Sequence, residues 1–435
     1  MLSVTPLGHA TLVVRGGART LLCDPIFADR VSGGGNLVDP PRWIDERHLG
    51  RITAILLTHH HSDHFDPVLV ARLADQHDAV VVAPAGSPML GELSAVGVTA
   101  RSITPGQTVQ FGDIAVMATP SAAPFVEVGY AFEREGAVVL DLCDSILDDS
   151  VADRIRSSLV ASPNLVLAPF QAGGYMSFLP LRIGGPPPGL VSKIGDWADE
   201  ATRELVRHLK VLRPRKVIPF ADGISYEDVR INAWHFPLGD EVFIEALAKA
   251  GLHGALPEPG TAFEVTAGMV RQYPGGSIIA VDGSRRDRRF DPSRSIGDYP
   301  LPLVPASGGA AESEWTEYAL LAAFGRAVDR APAGTFDEWG LDLVDESGTR
   351  RVLIAESRGV AILAGTASDL RRFGMRLNKR DACALLSGRI HAEWIELSGA
   401  FRYWSDPEVR DLEAIRDPVL RPFRCLETTE PAIPH

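Results

Sequence analysis

The stretch that most constrains this chain is Thr58-His59-His60-His61-Ser62-Asp63-His64-Phe65-Asp66-Pro67-Val68. It follows Ile52-Thr53-Ala54-Ile55-Leu56-Leu57, a short, branched apolar run that reads as a buried strand. A strand ending in three imidazoles and an aspartate delivers metal ligands from a rigid edge into a loop. His59 and His61 alternate, so both can point to one side. Asp63 and His64 follow after the turn and can serve a second ion nearby. Imidazole and carboxylate at this density suit a transition metal. A solvated polar loop after a strand is the weaker reading.

The His-x-His-x-Asp-His spacing is the signature of the metallo-β-lactamase fold, which the chain resembles here. That resemblance implies an α/β architecture, an αββα sandwich with sheets inside and helices outside. Strand patterns at Leu2–Val4, Ala10–Val14 and Thr20–Cys23 precede the motif, and Ser32–Asn36 reads as a flexible glycine-rich loop. Pro67–Gln76 reads as a helix opening on proline, and Met89–Ala95 as a short one. Strands follow at Ala79–Ala83, Thr108–Phe111, Ile114–Ala118, Val128–Glu133 and Ala137–Leu142. The pieces Gly8-His9-Ala10-Thr11 and Asp24-Pro25-Ile26-Phe27 resemble those of the ascorbate-lactonase and acyl-ethanolamine phospholipase branch, where they sit under the metal site. Asp24 is therefore a candidate to orient a ligand imidazole, with a turn-forming Asp-Pro as its alternative. His9 is either a partner of the site or a satisfied core histidine.

A chain of 435 residues is long for one domain and suggests two. A net charge of -13 argues against a nucleic-acid partner, since phosphate binding needs basic surface. Four scattered cysteines without a Cys-x-x-Cys pair fit a reducing cytoplasm and no structural zinc or iron–sulfur module. No signal peptide is visible at Met1-Leu2-Ser3-Val4, and no apolar run is long enough to span a bilayer, so a cytoplasmic protein is expected.

Asp144, after the strand Val138–Leu142, stands where the family carries an aspartate bridging two metals. Two ions roughly 3.5–4 Å apart need an anion between them, which a shared carboxylate supplies. The family's third histidine is missing: after Thr119-Pro120 the chain reads Ser121-Ala122-Ala123-Pro124, and no histidine lies between His77 and His208. Glu127 is the nearest group able to complete the first ion. Lys216–Phe220 ends in Ala221-Asp222, where many relatives place a last histidine. His235 is the candidate for the second ion, and Asp222 the substitute for either.

The middle of the chain narrows the resemblance. Asn164–Pro169 runs into Phe170-Gln171-Ala172-Gly173-Gly174-Tyr175, Ala198–Leu212 is an amphipathic helix, and Pro214-Arg215-Lys216-Val217-Ile218-Pro219-Phe220-Ala221 follows. This arrangement is similar to the metallo-β-lactamase part of CMP-N-acetylneuraminate hydroxylase, but the chain has no Cys-x-His pair for a Rieske centre. With carboxylates in place of imidazoles, it resembles the metallo-β-lactamase-fold non-heme di-iron monooxygenases, among them the diterpenoid hydroxylases of platensimycin and platencin biosynthesis. The resemblance implies two iron ions, O2, electrons from a separate electron-transfer protein or reductase, and a bulky apolar substrate, free or as a coenzyme A thioester. Zinc or manganese is the alternative metal, and a dinuclear zinc hydrolase of lactonase or phosphodiesterase type the alternative activity. A non-catalytic scaffold is a third reading, disfavoured by His59, His61, Asp63, His64 and Asp144 standing together. Substrate walls are expected from residues 173–179 and 186–190, with Tyr175 and Tyr226 in loops near the metal edge, and Trp234, as candidate contacts; aromatic residues of this kind are more often packing.

Residues 1–285 form the catalytic unit in this reading, 286–312 a linker, and 313–425 a smaller α+β module. Helices are expected at Glu314–Asp329, Asp369–Met375 and Lys379–Leu386, with a strand meander at Leu341–Val344, Val352–Glu356 and Val360–Leu363. Gly388–Asp406 resembles sterol-carrier-like domains, which form an apolar pocket or act as dimerisation and lid pieces, so a homodimer is one arrangement this module allows. Arg285-Arg286-Asp287-Arg288-Arg289 reads as a solvated face rather than an anion contact.

Overall fold

The computed structural model describes residues 1–170, 181, 183, 188–191, 193–226, 240–274, 278–281 and most of the regular elements between 317 and 426. Tyr175, Trp234, His235 and the 286–312 linker lie outside the described residues.

Two sheets face each other. One has eight strands in the order Val270–Tyr273, Ala262–Val265, Leu2–Pro6, Leu12–Gly16, Arg19–Cys23, Ala54–Leu56, Val80–Pro84 and Arg101–Ile103. The other has six: Thr108–Phe111, Ile114–Pro120, Val128–Arg134, Ala137–Asp141, Leu165–Pro169 and Lys216–Phe220. Strand alternation decides which side chains fill the space between them. Leu21, Cys23, Ala54 and Leu56 from the first sheet meet Val116, Tyr130, Val139 and Ile218 from the second. Their neighbours Leu22, Ile55 and Val81 face outward, against Leu69, Val70 and Leu73 of the Pro67–His77 helix. On the far side Leu140, Val166 and Val217 pack on Ile155, Leu209 and Phe243 of three more helices. The result is the αββα sandwich of the metallo-β-lactamase fold. No helix among the described residues is long and apolar enough to cross a membrane.

The Pro67–His77 helix starts as its sequence dictates. Asp66 accepts from the backbone N–H groups of Val68 and Leu69, and Pro67 fills the first turn, where no N–H is needed. This fixes the far end of the histidine loop.

A five-stranded sheet, ordered Gly359–Leu363, Arg350–Glu356, Trp339–Val344, Phe373–Asn378 and Phe401–Trp404, forms a second unit with the helices Glu317–Arg330 and Lys379–Leu386. Its core gathers Phe324, Trp339, Leu341, Met375, Leu377 and Phe401, together with Ile194 and Tyr226 from the first unit.

Three expectations are corrected. The helix expected to end at Met375 gives way to a strand over Phe373–Asn378. Phe373, Met375 and Leu377 alternate into the core while Gly374 and Arg376 face away, a period of two that tertiary pairing enforces. Ser32–Asn36 is not a loose loop: a 3-10 turn at Ser32–Gly34 joins the paired strands Arg30–Val31 and Asn36–Val38. Ser32 and Asn36 are buried within it. Tyr226 lies in the strand Ile224–Tyr226, paired with Asn36, and is buried rather than on a loop.

Candidate metal centre

The strands Arg19–Cys23 and Ala54–Leu56 run parallel, as do Ala137–Asp141, Leu165–Pro169 and Lys216–Phe220. The chain therefore leaves several of them at one edge of the sandwich, and Asp24, His59, Asp144 and Asp222 follow strand ends there.

His59 Nε2 and His61 Nδ1 face each other at 3.0 Å. Asp144 Oδ2 lies 4.0 Å from His59 Nε2 and 3.4 Å from His64 Nε2, so one carboxylate oxygen stands between the two groups. Asp63 Oδ2 is 3.8 Å from His64 Nε2 and 3.2 Å from His9 Nε2. Two sets of donor atoms thus form: His59, His61 and Asp144 on one side, His9, Asp63 and His64 on the other, with Asp144 Oδ2 also standing against His64.

Asp24 ties the two sets together from behind. Its Oδ1 accepts from the Thr58 N–H at 2.9 Å, and its Oδ2 from the Thr58 hydroxyl at 2.5 Å and from His64 Nδ1 at 3.2 Å. The Thr58 oxygen lies 3.0 Å from His59 Nδ1 and accepts that ring's proton. Both imidazoles therefore carry hydrogen on Nδ1 and turn Nε2 forward, where His64 offers a lone pair once its second proton is displaced. Cys143 Sγ adds a fourth donor to Asp24, at 3.3 Å.

Glu127 is buried, with Oε2 accepting from the Ser121 hydroxyl at 2.5 Å and Oε1 lying 3.5 Å from His59 Nδ1. Asp222 is buried, and the adjoining Gly223 packs against the backbone of His9, leaving no room for a Cβ there. Tyr130 lies behind the site, its hydroxyl donating to the Leu57 carbonyl at 2.7 Å. Phe125 covers the histidine loop, its ring centre 4.7 Å from that of His61 and 5.7 Å from that of His59.

The electrostatics call for a cation. Burial drives His59 well below the ordinary imidazole range and His61 to about 4, so both rings are neutral donors at physiological pH. Burial also opposes charge on His64, yet Asp144, Cys143 and Asp63 around it outweigh that and hold it well above the usual value. Burial, then the Asp144 charge, push Glu127 up to about 8. Protons are thus retained where negative charge accumulates, and a metal ion can replace them. His64 Nε2, Asp63 Oδ1, Asp144 Oδ1 and Glu127 Oε1 are buried without a hydrogen-bond partner among the described residues. Buried polar atoms are normally satisfied, and coordination would satisfy these. The donor set fits a dinuclear transition-metal centre.

Sequence reasoning missed Thr58, Cys143 and Arg42, a buried arginine beside the Gly8–His9 turn. Thr58 carried a signal, since it separates the strand from His59. Arg42 carried none, being distant in sequence.

Residues 19–166 match the family model described as a beta-lactamase superfamily domain. A UPF0173 protein of Pyrococcus abyssi is 25% identical over 220 residues, covering 48% of this chain and 89% of that protein. Among solved structures, the diiron β-hydroxylase CmlA of Streptomyces venezuelae shares 15% identity over 63% of this chain and 54% of its own, with a TM-score of 0.42. An isothiocyanate hydrolase from Delia radicum gut bacteria shares 16% over 61% of this chain and 100% of its own, also at 0.42. A UPF0173 protein of Pyrococcus furiosus is 35% identical over 194 residues, 44% of this chain and 76% of that protein. On that match and the family model, the chain belongs to the UPF0173 proteins of the beta-lactamase superfamily.

Proposed function

We propose that the chain is a non-heme di-iron monooxygenase. It would hydroxylate an unactivated C–H bond of a bulky apolar, terpenoid-like molecule, free or as a coenzyme A thioester. One oxygen atom of O2 would enter the substrate and the other leave as water, the balancing electrons coming from a separate electron-transfer protein or reductase. The observation that carries this reading is the carboxylate excess: buried Glu127 beside His59, where a third imidazole would suit zinc, together with Asp63, Asp144 and nearby Asp222. Anionic oxygen donors favour iron or manganese.

In this reading His59 Nε2 and His61 Nδ1 hold the first ion, and Glu127 would complete it by turning from the Nδ1 edge of His59, where Oε1 lies at 3.5 Å. Asp63 and His64 hold the second, with His235 or Asp222, and Asp144 is shared. When bound, the iron pair supplies the reduction of O2 to an oxidant able to take a C–H hydrogen. The protein's part is orientation and shielding. Asp24 and Thr58 fix the tautomers of His64 and His59, and the Phe125 ring keeps water from the imidazole faces. A cavity of about 460 Å³ borders the histidine loop at His60, Ser62 and Phe65, but none of the proposed metal ligands lines it.

A dinuclear zinc hydrolase is the second reading. It is favoured by the orientation of Glu127, whose Oε1 faces the Nδ1 edge of His59 rather than Nε2. Metal analysis with optical spectroscopy separates the two. The monooxygenase reading expects about two irons per chain, as in other two-metal sites, and a charge-transfer band that responds to O2 and reductant. Two zinc ions with lactonase or phosphodiesterase turnover would overturn it.

A further inference from the structure

Arg42 is 3% exposed, and no carboxylate among the described residues comes within ion-pair distance of it. Its partners are backbone carbonyls. Nε donates to Leu7 O at 2.6 Å and Nη2 to Ile26 O at 2.6 Å, while Nη1 is buried with no partner among the described residues. A buried guanidinium held in this way is costly, and burial draws its pKa down to about 10 despite the pull of Asp29. Arginine's planar fork is nevertheless suited to spanning two chain segments at fixed separation.

Those segments are the two turns behind the candidate centre. Leu7 precedes Gly8 and His9, and His9 Nε2 lies 3.2 Å from Asp63 Oδ2. Ile26 follows Asp24, which accepts from His64 Nδ1. Thr11 laces the same turns, its hydroxyl donating to Asp24 O at 2.8 Å and accepting from Ile26 N at 3.0 Å. Both turns are bent the difficult way, with φ of 46° at His9 and 40° at Asp24. Gly8, at φ 94°, leaves the space that the arginine fills: a Cβ there would sit 2.8 Å from Arg42 Cδ.

We propose that Arg42 is a positioning residue for the second ion: it clasps the Gly8–His9 turn to the Asp24–Ile26 turn, setting Asp63 through His9 and His64 through Asp24. The proposal rests on the dinuclear reading. A residue that merely packed would affect both ions alike or neither. The clasp acts on Asp63 and His64, two ligands of the second ion, but on the first only through Thr58 and His59.

Metal stoichiometry and stepwise affinity, by chelator competition on folded protein with Zn(II) or Fe(II), test this without reference to turnover. Wild type is read first, and fewer than two ions per chain would sink the dinuclear reading and the clasp with it. Given two, Arg42→Met should lower the affinity of one ion by about tenfold to a hundredfold, the scale of an outer-shell partner, leaving the other near wild type. Gly8→Ala, which crowds the arginine and also strains the turn it clasps, should do the same. Combining Arg42→Met with His61→Ala assigns the ion: the double variant should hold none tightly. Two ions at wild-type affinity in Arg42→Met and Gly8→Ala, equal weakening of both, or one tight ion in the double variant would each overturn the clasp. Should Arg42→Met not fold, Arg42→Lys, which reaches only one of the two carbonyls, takes its place with the same criteria.

Discussion

Replacing Asp24 by asparagine keeps the shape of the side chain and removes its charge. Oδ1 receives one donor, Thr58 N, and an amide oxygen can still accept it. Oδ2 receives three: the Thr58 hydroxyl, His64 Nδ1 and Cys143 Sγ. In Asp24→Asn those donors meet an amide NH2, and at least two bonds to a charged acceptor are lost. At ~1.5–3 kcal/mol each, a loss of ~3 kcal/mol in stability is expected once the hydroxyl has turned away. The metal side is the sharper readout. His64 loses the partner that fixes its Nδ1 proton, and His59 loses it at one remove, through Thr58. An outer-shell loss of this kind lowers affinity by about tenfold to a hundredfold, or ~1.4–2.8 kcal/mol. Competition with a chromogenic chelator measures both ions, and circular dichroism establishes that the variant is folded. The ion next to His64 should weaken more than the one next to His59. Affinities within twofold of wild type in a folded variant would refute the role given to Asp24.

Glu127→Gln should deplete the first ion in metal analysis, and full retention would remove Glu127 from the centre. The same variant tests the electrostatics. With a folded value of about 8 against an ordinary 4.5, Glu127 favours folding fully at low pH, and this contribution is lost as pH rises toward 8. Urea unfolding of metal-free protein should therefore weaken more steeply with pH in wild type than in Glu127→Gln across that window; equal slopes would contradict the shift. Gly223→Ala places a Cβ 2.5 Å from His9 N and 2.7 Å from His9 Cα, backbone atoms that cannot yield cheaply. A loss of ~1–3 kcal/mol is expected, seen as a lowered melting temperature, and an unchanged one would refute the contact.

The sandwich was legible because its signals are local. Alternating or continuous apolar runs of strand length, and a proline-opened helix with Asp66 as its cap, need no knowledge of distant partners. The candidate donors His59, His61, Asp63 and His64 lie close together in sequence, and the structure gathers them at one edge of the sandwich. What could not be read is what tertiary pairing decides. Phe373–Met375 read as the end of a helix because a short apolar run has no period of its own until a neighbour imposes one. Tyr226 read as a loop residue near the metal edge, yet its strand pairs with Asn36, far away in sequence. Glu127 was found only as the nearest carboxylate to a missing histidine, and pattern says nothing of which edge of His59 it faces.

The least legible feature is the backbone itself. His9, Asp24, Cys143 and Ala221 all adopt left-handed φ, at 46°, 40°, 50° and 62°, and none is glycine. Each conformation costs ~1–3 kcal/mol and persists only where its surroundings over-determine it. Here the surroundings are explicit: Asp24 N donates to Leu56 O, Cys143 N donates to Asp141 Oδ1, and His9 is wedged against Gly223. Three of these residues follow strands of the two sheets, so sheet pairing fixes where each strand ends, and the tight bend that follows turns the next side chain across the edge. At His9, Asp24 and Cys143 a glycine would relax the bend but supply no imidazole, carboxylate or thiol, whereas Ala221 carries no such group. At these three residues the strain follows from requiring a functional side chain, rather than a bare turn, after a rigid strand, and such bends let donors converge from segments as far apart in sequence as His9 and Asp144.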